Sequence, residues 1–156
     1  MADDLENTLH LDLDWGRVTI KLRPDLAPKH VERVKELARE GFYDGLKFHR
    51  VIDGFMAQTG CPDGTGMGGS DKPDLRAEFS KAPFDRGVVG AARSQNLHSA
   101  NSQFFIMFDE GHFLNGQYTV WGEVTDGMEH VDRIAKGEPP RKPDTIKKFS
   151  VAADAK

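Results

Sequence analysis

Cysteine and long hydrophobic runs are the scarcest features of this sequence. Its 156 residues include one cysteine, Cys61, so an internal disulfide is excluded. No apolar run approaches the roughly 20 residues that a membrane-spanning helix needs. The opening residues, MADDLENTLH, are acidic and polar, unlike a secretory signal. We therefore expect a soluble, cytoplasmic protein in a reducing compartment, with no membrane partner.

An excess of positive charge is also lacking. The chain has 21 lysines and arginines against 25 aspartates and glutamates, which gives a formal net charge of −4. Phosphate binding favours a basic surface, so nucleic acid is not the expected partner. The motifs G-x-S-x-G and C-x-x-C do not occur, and His49, His98 and His112 lack the spacing of metal ligands. We therefore predict no bound metal, and we interpret His30 and His130 as surface positions on helices.

What the sequence does contain is the pattern of a β-rich fold. Residues 9–13 alternate leucine with a polar residue, which is the period of a half-buried strand. Pro28 begins a predicted helix that ends at Gly41, and a shorter helix follows Gly127. Eight strand-like runs come before, between and after these helices, which favours an antiparallel sheet that can close on itself. We predict a single domain over residues 1–156, with a loose end at 1–7.

The stretch from residue 41 to residue 69 contains the strongest local signal, a hairpin around Asp53-Gly54. A two-residue loop would place Arg50 opposite Ala57, whereas a three-residue loop would place it opposite Gln58. Directly opposed residues share one face of a sheet, so the register decides which side chains surround Arg50. The local pattern leaves both registers open.

A glycine-rich segment follows the hairpin, and Gly64, Gly66 and Gly69 match G-x-G-x-x-G. A dinucleotide site requires this motif between a strand and a helix, and residues 70–74, SDKPD, cannot begin a periodic helix. We therefore expect no nucleotide cofactor, and we predict a loop that lies flat beside a cleft. Cys61, at the start of this loop, has no cationic neighbour in the sequence and is interpreted as structural or incidental.

Three blocks of this sequence resemble the signatures of the cyclophilins, the peptidyl-prolyl cis-trans isomerases. They are FHRVIDGFMAQTG at 48–60, NSQFFI at 101–106 and FLNGQYTVWG at 113–122. The blocks occur in family order, and the resemblance extends over about residues 9–151. It implies a closed eight-stranded antiparallel β-barrel, mainly β, with an α-helix over each open end. It also favours the register that pairs Arg50 with Gln58.

The resemblance implies a function as well: rotation about X-Pro bonds in protein chains, in assistance of folding, with no cofactor. Arg50 would donate hydrogen bonds to the twisted amide, and Gln58 would hold its guanidinium in place. The family's substrate-binding positions also carry over. Those of the proline pocket are Phe55, Met56, Phe105 and Leu114, and those of its rim are Phe113 and Tyr118. The peptide would be held by Ala92, the backbone at Arg93, and Gln103.

Three of these positions depart from the best-known eukaryotic members. Phe113 stands where they have tryptophan, Tyr118 where they have histidine and Arg93 where they have asparagine, which is similar to bacterial members. Loss of the indole N–H donor predicts weak cyclosporin binding. The expected partners are proline-containing segments of client proteins, and the expected state is a monomer. An alternative function is a docking module that binds proline segments without catalysis.

Overall fold

The computed structural model describes residues 5–66 and 68–154, and its architecture is one curved antiparallel sheet with two helices. The strands are β1 (Thr8–Leu13), β2 (Gly16–Leu22), β3 (Arg50–Ile52), β4 (Met56–Thr59), β5 (Val88–Ala91), β6 (Phe104–Met107), β7 (Val120–Asp126) and β8 (Lys148–Val151). The helices are α1 (Pro28–Arg39) and α2 (Met128–Val131). None of the described helices is long and apolar enough to cross a membrane.

The sheet has the order β3-β4-β6-β5-β7-β2-β1-β8, with β3 and β8 at its two edges. Among the described residues no ladder joins these edges, so the predicted closed barrel is not confirmed. Isolated pairs, Val51 with Gly137 and Lys47 with Thr145, link the β3 side to the segment before β8. That segment contains three prolines, at 139, 140 and 143, which have no backbone N–H to donate to a ladder.

Strand β6 separates two apolar clusters because its side chains alternate between the faces of the sheet. Phe104 and Ile106 are buried in the main core, which also contains Trp121 and the apolar face of α1. Phe105 and Met107 belong to a smaller cluster on the opposite face. This division, which the alternation of residues 103–108 predicts, puts one face of β6 in the core and the other in a cleft.

Helix α1 begins at Pro28 as predicted, and its first turn is capped by a residue that is distant in the sequence. No side chain of the preceding residue caps it. Instead the carboxylate of Glu78 accepts hydrogen bonds from the backbone N–H groups of Lys29 and His30, at 3.2 and 2.9 Å. The same carboxylate accepts a bond from His30 Nδ1 at 2.6 Å. His30 is 1% exposed, so the prediction of a surface position is wrong there.

The first and last described segments lie together. Leu5–Asn7, predicted as part of a loose end, form a 3-10 helix, and Glu6 pairs with Lys35 and Arg39 of α1. Arg39 also pairs with Asp154 at 3.0 Å. Residues 1–4 of the predicted loose end lie outside the described residues.

Candidate active site

The β3–β4 hairpin has the register that places Arg50 opposite Gln58 and Ile52 opposite Met56. Gly54 in the turn has φ 74°, a conformation that glycine adopts without steric cost. Gln58 pairs in turn with Phe105 of β6, and Phe105 pairs with Gly90 of β5. A row of four residues therefore crosses four strands, and the face that bears Arg50 is continuous with the face that bears Phe105.

Gly90 explains how the aromatic floor of this face is packed. The rings of Phe84 and Phe105 stack above it, 5.8 Å apart between centroids. A Cβ at Gly90 would lie 2.7 Å from Phe84 Cε1 and 2.8 Å from Phe105 Cζ, closer than real atoms approach. Only glycine therefore allows both rings to lie on the sheet here.

An open cavity of about 270 Å³ lies on this face. It is lined by ten of the eleven predicted site residues: Arg50, Phe55, Met56, Gln58, Ala92, Arg93, Phe105, Phe113, Leu114 and Tyr118. Its floor is buried and apolar, because Met56, Phe105 and Leu114 are at most 8% exposed. Phe113, in the 3-10 helix His112–Leu114, is 73% exposed and packs against Phe55 at the rim.

Arg50 stands at the polar side of this cavity with acceptors on two sides. Its Nε donates to Glu138 Oε1 at 3.2 Å, and one terminal nitrogen donates to Gln58 Oε1 at 3.5 Å. Both members of the ion pair are about half exposed, so the pair orients the guanidinium more than it stabilises the fold. The sequence offered no signal for Glu138, which is 88 residues away along the chain.

Gln103 is the predicted site residue that does not line the cavity. Its Nε2 donates to the carbonyl oxygens of Gly66 and Gly68, at 2.9 and 2.8 Å. Its Oε1 accepts from Gln58 Nε2 at 2.9 Å, which leaves Gln58 Oε1 turned toward Arg50. The glycine-rich loop thus orients the amide of Gln103, and Gln103 in turn orients the amide of Gln58. As a result, the oxygen of Gln58 faces Arg50.

A second cavity of about 510 Å³ adjoins the first. The two share Gln58, Ala92 and Arg93, so these residues form the ridge between them. On this ridge the guanidinium of Arg93 lies 4.3 Å above the centroid of the Tyr118 ring. Tyr118 in turn packs edge-on against Phe105, with centroids 5.7 Å apart.

Comparison with known proteins identifies the family of this chain. Residues 8–151 match the family described as cyclophilin type peptidyl-prolyl cis-trans isomerase. The chain belongs to this family of isomerases. Probable peptidyl-prolyl cis-trans isomerases of Brucella suis and Brucella abortus are each 57% identical to it, across 99% of this chain and 87% of theirs. Peptidyl-prolyl cis-trans isomerase B of Bacillus subtilis is 40% identical, across 80% of this chain and 87% of its own.

Solved structures show the same cyclophilin fold. Cyclophilin AquaCyp293 of Hirschia baltica superposes with a TM-score of 0.92 at 28% identity, across 100% of this chain and 77% of that one. A cyclophilin-type isomerase of Cryptosporidium parvum, solved in the presence of the dipeptide Ala-Pro, has a TM-score of 0.83 at 27% identity. That likeness covers 92% of this chain and 98% of the other.

The glycine-rich loop of this cyclophilin is built around Cys61. The buried thiol lies 2.8 Å from Asp63 Oδ1, and its sulfur accepts the backbone N–H groups of Gly66 and Gly68, each at 3.3 Å. Hydrogen bonds from Cys61 and Thr65 lower the pKa of Asp63 to about 2. Cys61 therefore holds the loop whose carbonyl groups orient Gln103, which agrees with a structural cysteine.

Beside the rim of the cyclophilin cavity, His112 forms a group with two carboxylates that lie apart from it in sequence. Its Nε2 is 2.7 Å from Asp85 Oδ1 and 3.9 Å from Glu110 Oε2. The hydrogen bond that His112 donates to the Asp85 carboxylate raises the pKa of His112. All three residues are exposed, and exposed groups of this kind are common without an ion, so we assign no metal to them. The spacing of residues in the sequence did not predict this cluster of Asp85, Glu110 and His112, because Asp85 lies 27 residues before His112 in the chain.

Proposed function

We propose that this cyclophilin binds proline-containing segments of protein chains with the proline ring in the 270 Å³ cavity. The cavity's floor of Met56, Phe105 and Leu114 is apolar and buried, which suits a pyrrolidine ring. The Cryptosporidium relative, solved with Ala-Pro, supports the same class of ligand. The proposed reaction is rotation about the bond that precedes the proline.

Rotation needs no nucleophile or proton transfer, because the barrier comes from amide resonance. That barrier is about 18–20 kcal/mol, and uncatalysed exchange takes roughly 10–100 s at 25 °C. Bringing exchange to milliseconds requires about 10⁴-fold acceleration, or roughly 5.5 kcal/mol. The protein must therefore bind the twisted amide more tightly than the planar one.

Arg50 supplies the interaction that favours the twisted amide. As resonance is lost, a lone pair develops on the prolyl nitrogen and can accept a hydrogen bond from a guanidinium. The described bonds of Arg50 to Glu138 and Gln58 use two of the five N–H donors of a guanidinium, so donors remain for substrate. Donors that are already oriented cost little reorganisation when the charge develops.

The observation that carries this mechanism is the line of contacts from the loop carbonyls through Gln103 and Gln58 to Arg50. It ends at the edge of a cavity whose floor is apolar and buried. A docking module would need the cavity alone, whereas this line of amides serves to orient a cation. It therefore favours catalysis over docking.

Exchange of a short X-Pro peptide, followed by NMR with catalytic amounts of protein, tests the proposal. We expect strong acceleration by the wild type and a loss of about 10²-fold or more in Arg50→Ala, the size typical of a lost electrostatic donor. Arg141→Ala, at an exposed position outside the cavity, is the matched control and should retain full activity.

Other outcomes separate the parts of the proposal. Acceleration that survives Arg50→Ala would leave the isomerase intact and remove Arg50 from the mechanism. Line broadening of the peptide without acceleration would show a docking module instead.

The cellular role is a further part of the proposal. We place this isomerase in the cytoplasm as a monomer that assists folding of proline-containing clients. The single cysteine, which excludes an internal disulfide and suits a reducing compartment, supports the cytoplasmic placement. Sedimentation of the purified chain tests the monomer, and a dimer at micromolar concentration would contradict it.

A further inference from the structure

Arg93 occupies the ridge between the two cavities, and its charge is not paired with a carboxylate in the part of the chain that the structure describes. Among residues 5–66 and 68–154, its hydrogen bonds run to backbone oxygens: Gln117 O at 2.7 and 3.2 Å and Ser94 O at 2.9 Å. No described carboxylate forms an ion pair with it. Arg50, the other arginine of the site, is paired with Glu138. The unbalanced positive charge of the ridge is therefore that of Arg93.

The guanidinium is held where a ligand can meet it. Its bonds to Gln117 and Ser94 use three of the five N–H donors, and two remain for an incoming acceptor. Stacking on Tyr118 fixes the plane of the group, and Tyr118 itself rests on Phe105 of the pocket floor. The cation thus stands one aromatic ring away from the surface where the proline ring would lie.

The second cavity also contains a negative charge, which disfavours the binding of a ligand's carboxylate inside that cavity. Asp74 lines that cavity and accepts a hydrogen bond from Asn101 Nδ2 at 3.1 Å. A carboxylate deep in this groove would be repelled by Asp74. At the ridge it would meet Arg93 first, within one residue of a proline seated in the first cavity.

We propose that Arg93 is a specificity-determining residue that favours substrates with a carboxylate in the residue directly before or after the proline. The inference rests on the proposed binding of proline in the adjacent cavity. Two free N–H donors on a stacked, oriented guanidinium match the two oxygens of a carboxylate, whereas a neutral amide of the same size supplies one acceptor oxygen.

The test compares peptides that differ in one side chain. Two sets of acetylated pentapeptides place Glu, Gln or Lys directly before the proline or directly after it, and exchange NMR at pH 7.5 and low salt gives kcat/KM. For at least one set we expect Glu to exceed Gln by about fivefold and Lys to fall below Gln. The ratio of Glu to Gln should shrink toward one in 0.5 M salt, because the contact is partly exposed.

Variants identify the source of any preference. Arg93→Gln should bring the Glu-to-Gln ratio close to one, whereas Arg93→Lys, which keeps the charge, should retain part of it. The matched control is Arg133→Gln, because Arg133 also lies over an aromatic ring, that of Trp15 at 5.3 Å, but outside both cavities. This control should keep the wild-type ratio.

The failures are distinguishable. Equal kcat/KM for Glu and Gln peptides of both sets, or a preference that persists in Arg93→Gln, overturns the role of Arg93 while the isomerase remains. Absence of acceleration for every peptide overturns the proposed function and this inference together. The salt dependence is measured on the wild type alone, so the test holds even where Arg93→Gln fails to fold.

Discussion

Individual side chains in this site depend on the groups that orient them, and Gln58 is the best example. An amide side chain can present either its oxygen or its nitrogen to a neighbour. Gln103 accepts from Gln58 Nε2, and this leaves the oxygen for Arg50. Gln103 therefore contributes to the site from outside the 270 Å³ cavity.

This dependence predicts the effect of Gln103→Leu, which keeps the side chain's approximate size and removes its amide. We expect kcat to fall about five- to tenfold with a smaller change in KM, because Gln58 loses the partner that fixes its orientation. Exchange NMR at several peptide concentrations measures both constants. Gln95→Leu, at an exposed position near the site, is the control, and an unchanged kcat in Gln103→Leu would contradict the prediction.

Phe113 gives a second prediction at the scale of one residue. It is 73% exposed at the rim and lacks the indole N–H donor of the tryptophan that the best-known eukaryotic cyclophilins have here, so we expect weak cyclosporin binding. Phe113→Trp should strengthen binding about five- to tenfold, which is the value of one hydrogen bond. Calorimetry measures both complexes, and a low-nanomolar Kd for the wild type would refute the expectation.

Among the elements, those whose signal is local were predictable from the sequence. The alternation in residues 103–108 assigned the two faces of β6, and Pro28 marked the first residue of α1. Asp53-Gly54 located the hairpin, yet its register came from family resemblance because both loop lengths satisfy the same local pattern.

Features that depend on distant partners were not predictable. The polar character of His30 suggested a surface residue, yet its spacing from Val34 and Leu37 places it on the buried face of the helix. Its partner there, Glu78, comes from another segment and was not predictable. Glu138 and Asp85 likewise meet Arg50 and His112 only once the chain is folded. At the site, the cavity's residue types were predictable, but the contacts that orient them were not.

The start of helix α1 provides a prediction at the scale of elements. Glu78 accepts two backbone N–H groups and His30 Nδ1, so Glu78→Ala removes a cap and leaves buried donors without partners. We expect the free energy of unfolding to fall by about 2–3 kcal/mol. Urea denaturation measures the change. Glu32→Ala, on the exposed face of the same helix, should change it by less than about 0.5 kcal/mol.

For the whole molecule, buried histidines determine the response to acid. Desolvation lowers the pKa of the buried His30 and His49 and of His10, which is half-buried. Below about pH 6.5 the unfolded chain then binds more protons than the folded one, so stability should fall between pH 7.5 and pH 5.5. His112, whose pKa is raised by Asp85, opposes this: its contribution is present at low pH and lost as pH rises through its folded pKa. Because His112 is exposed, its effect is the smaller.

Urea denaturation at several pH values tests this balance. His30→Asn keeps a donor toward Glu78 and removes the titration, so its stability should vary less between pH 7.5 and pH 5.5 than that of the wild type. Gln95→Leu, at an exposed position without a titrating group, should leave the slope unchanged. Stability that rises on acidification in the wild type would reverse the sign and contradict the assignment.

The open side of the sheet has a consequence for heat tolerance. Arg50 lies on β3, an edge strand of three residues. Within residues 5–66 and 68–154, the outer side of this strand is held by an isolated pair, Val51 with Gly137, and by the ion pair of Arg50 with Glu138. Edges with few hydrogen bonds open locally at a lower free energy than a whole domain unfolds. Isomerase activity should therefore disappear during warming before circular dichroism shows loss of the sheet. Coincident midpoints would show that the edge melts with the rest, and separate midpoints would make thermal inactivation a local event, reversible on cooling.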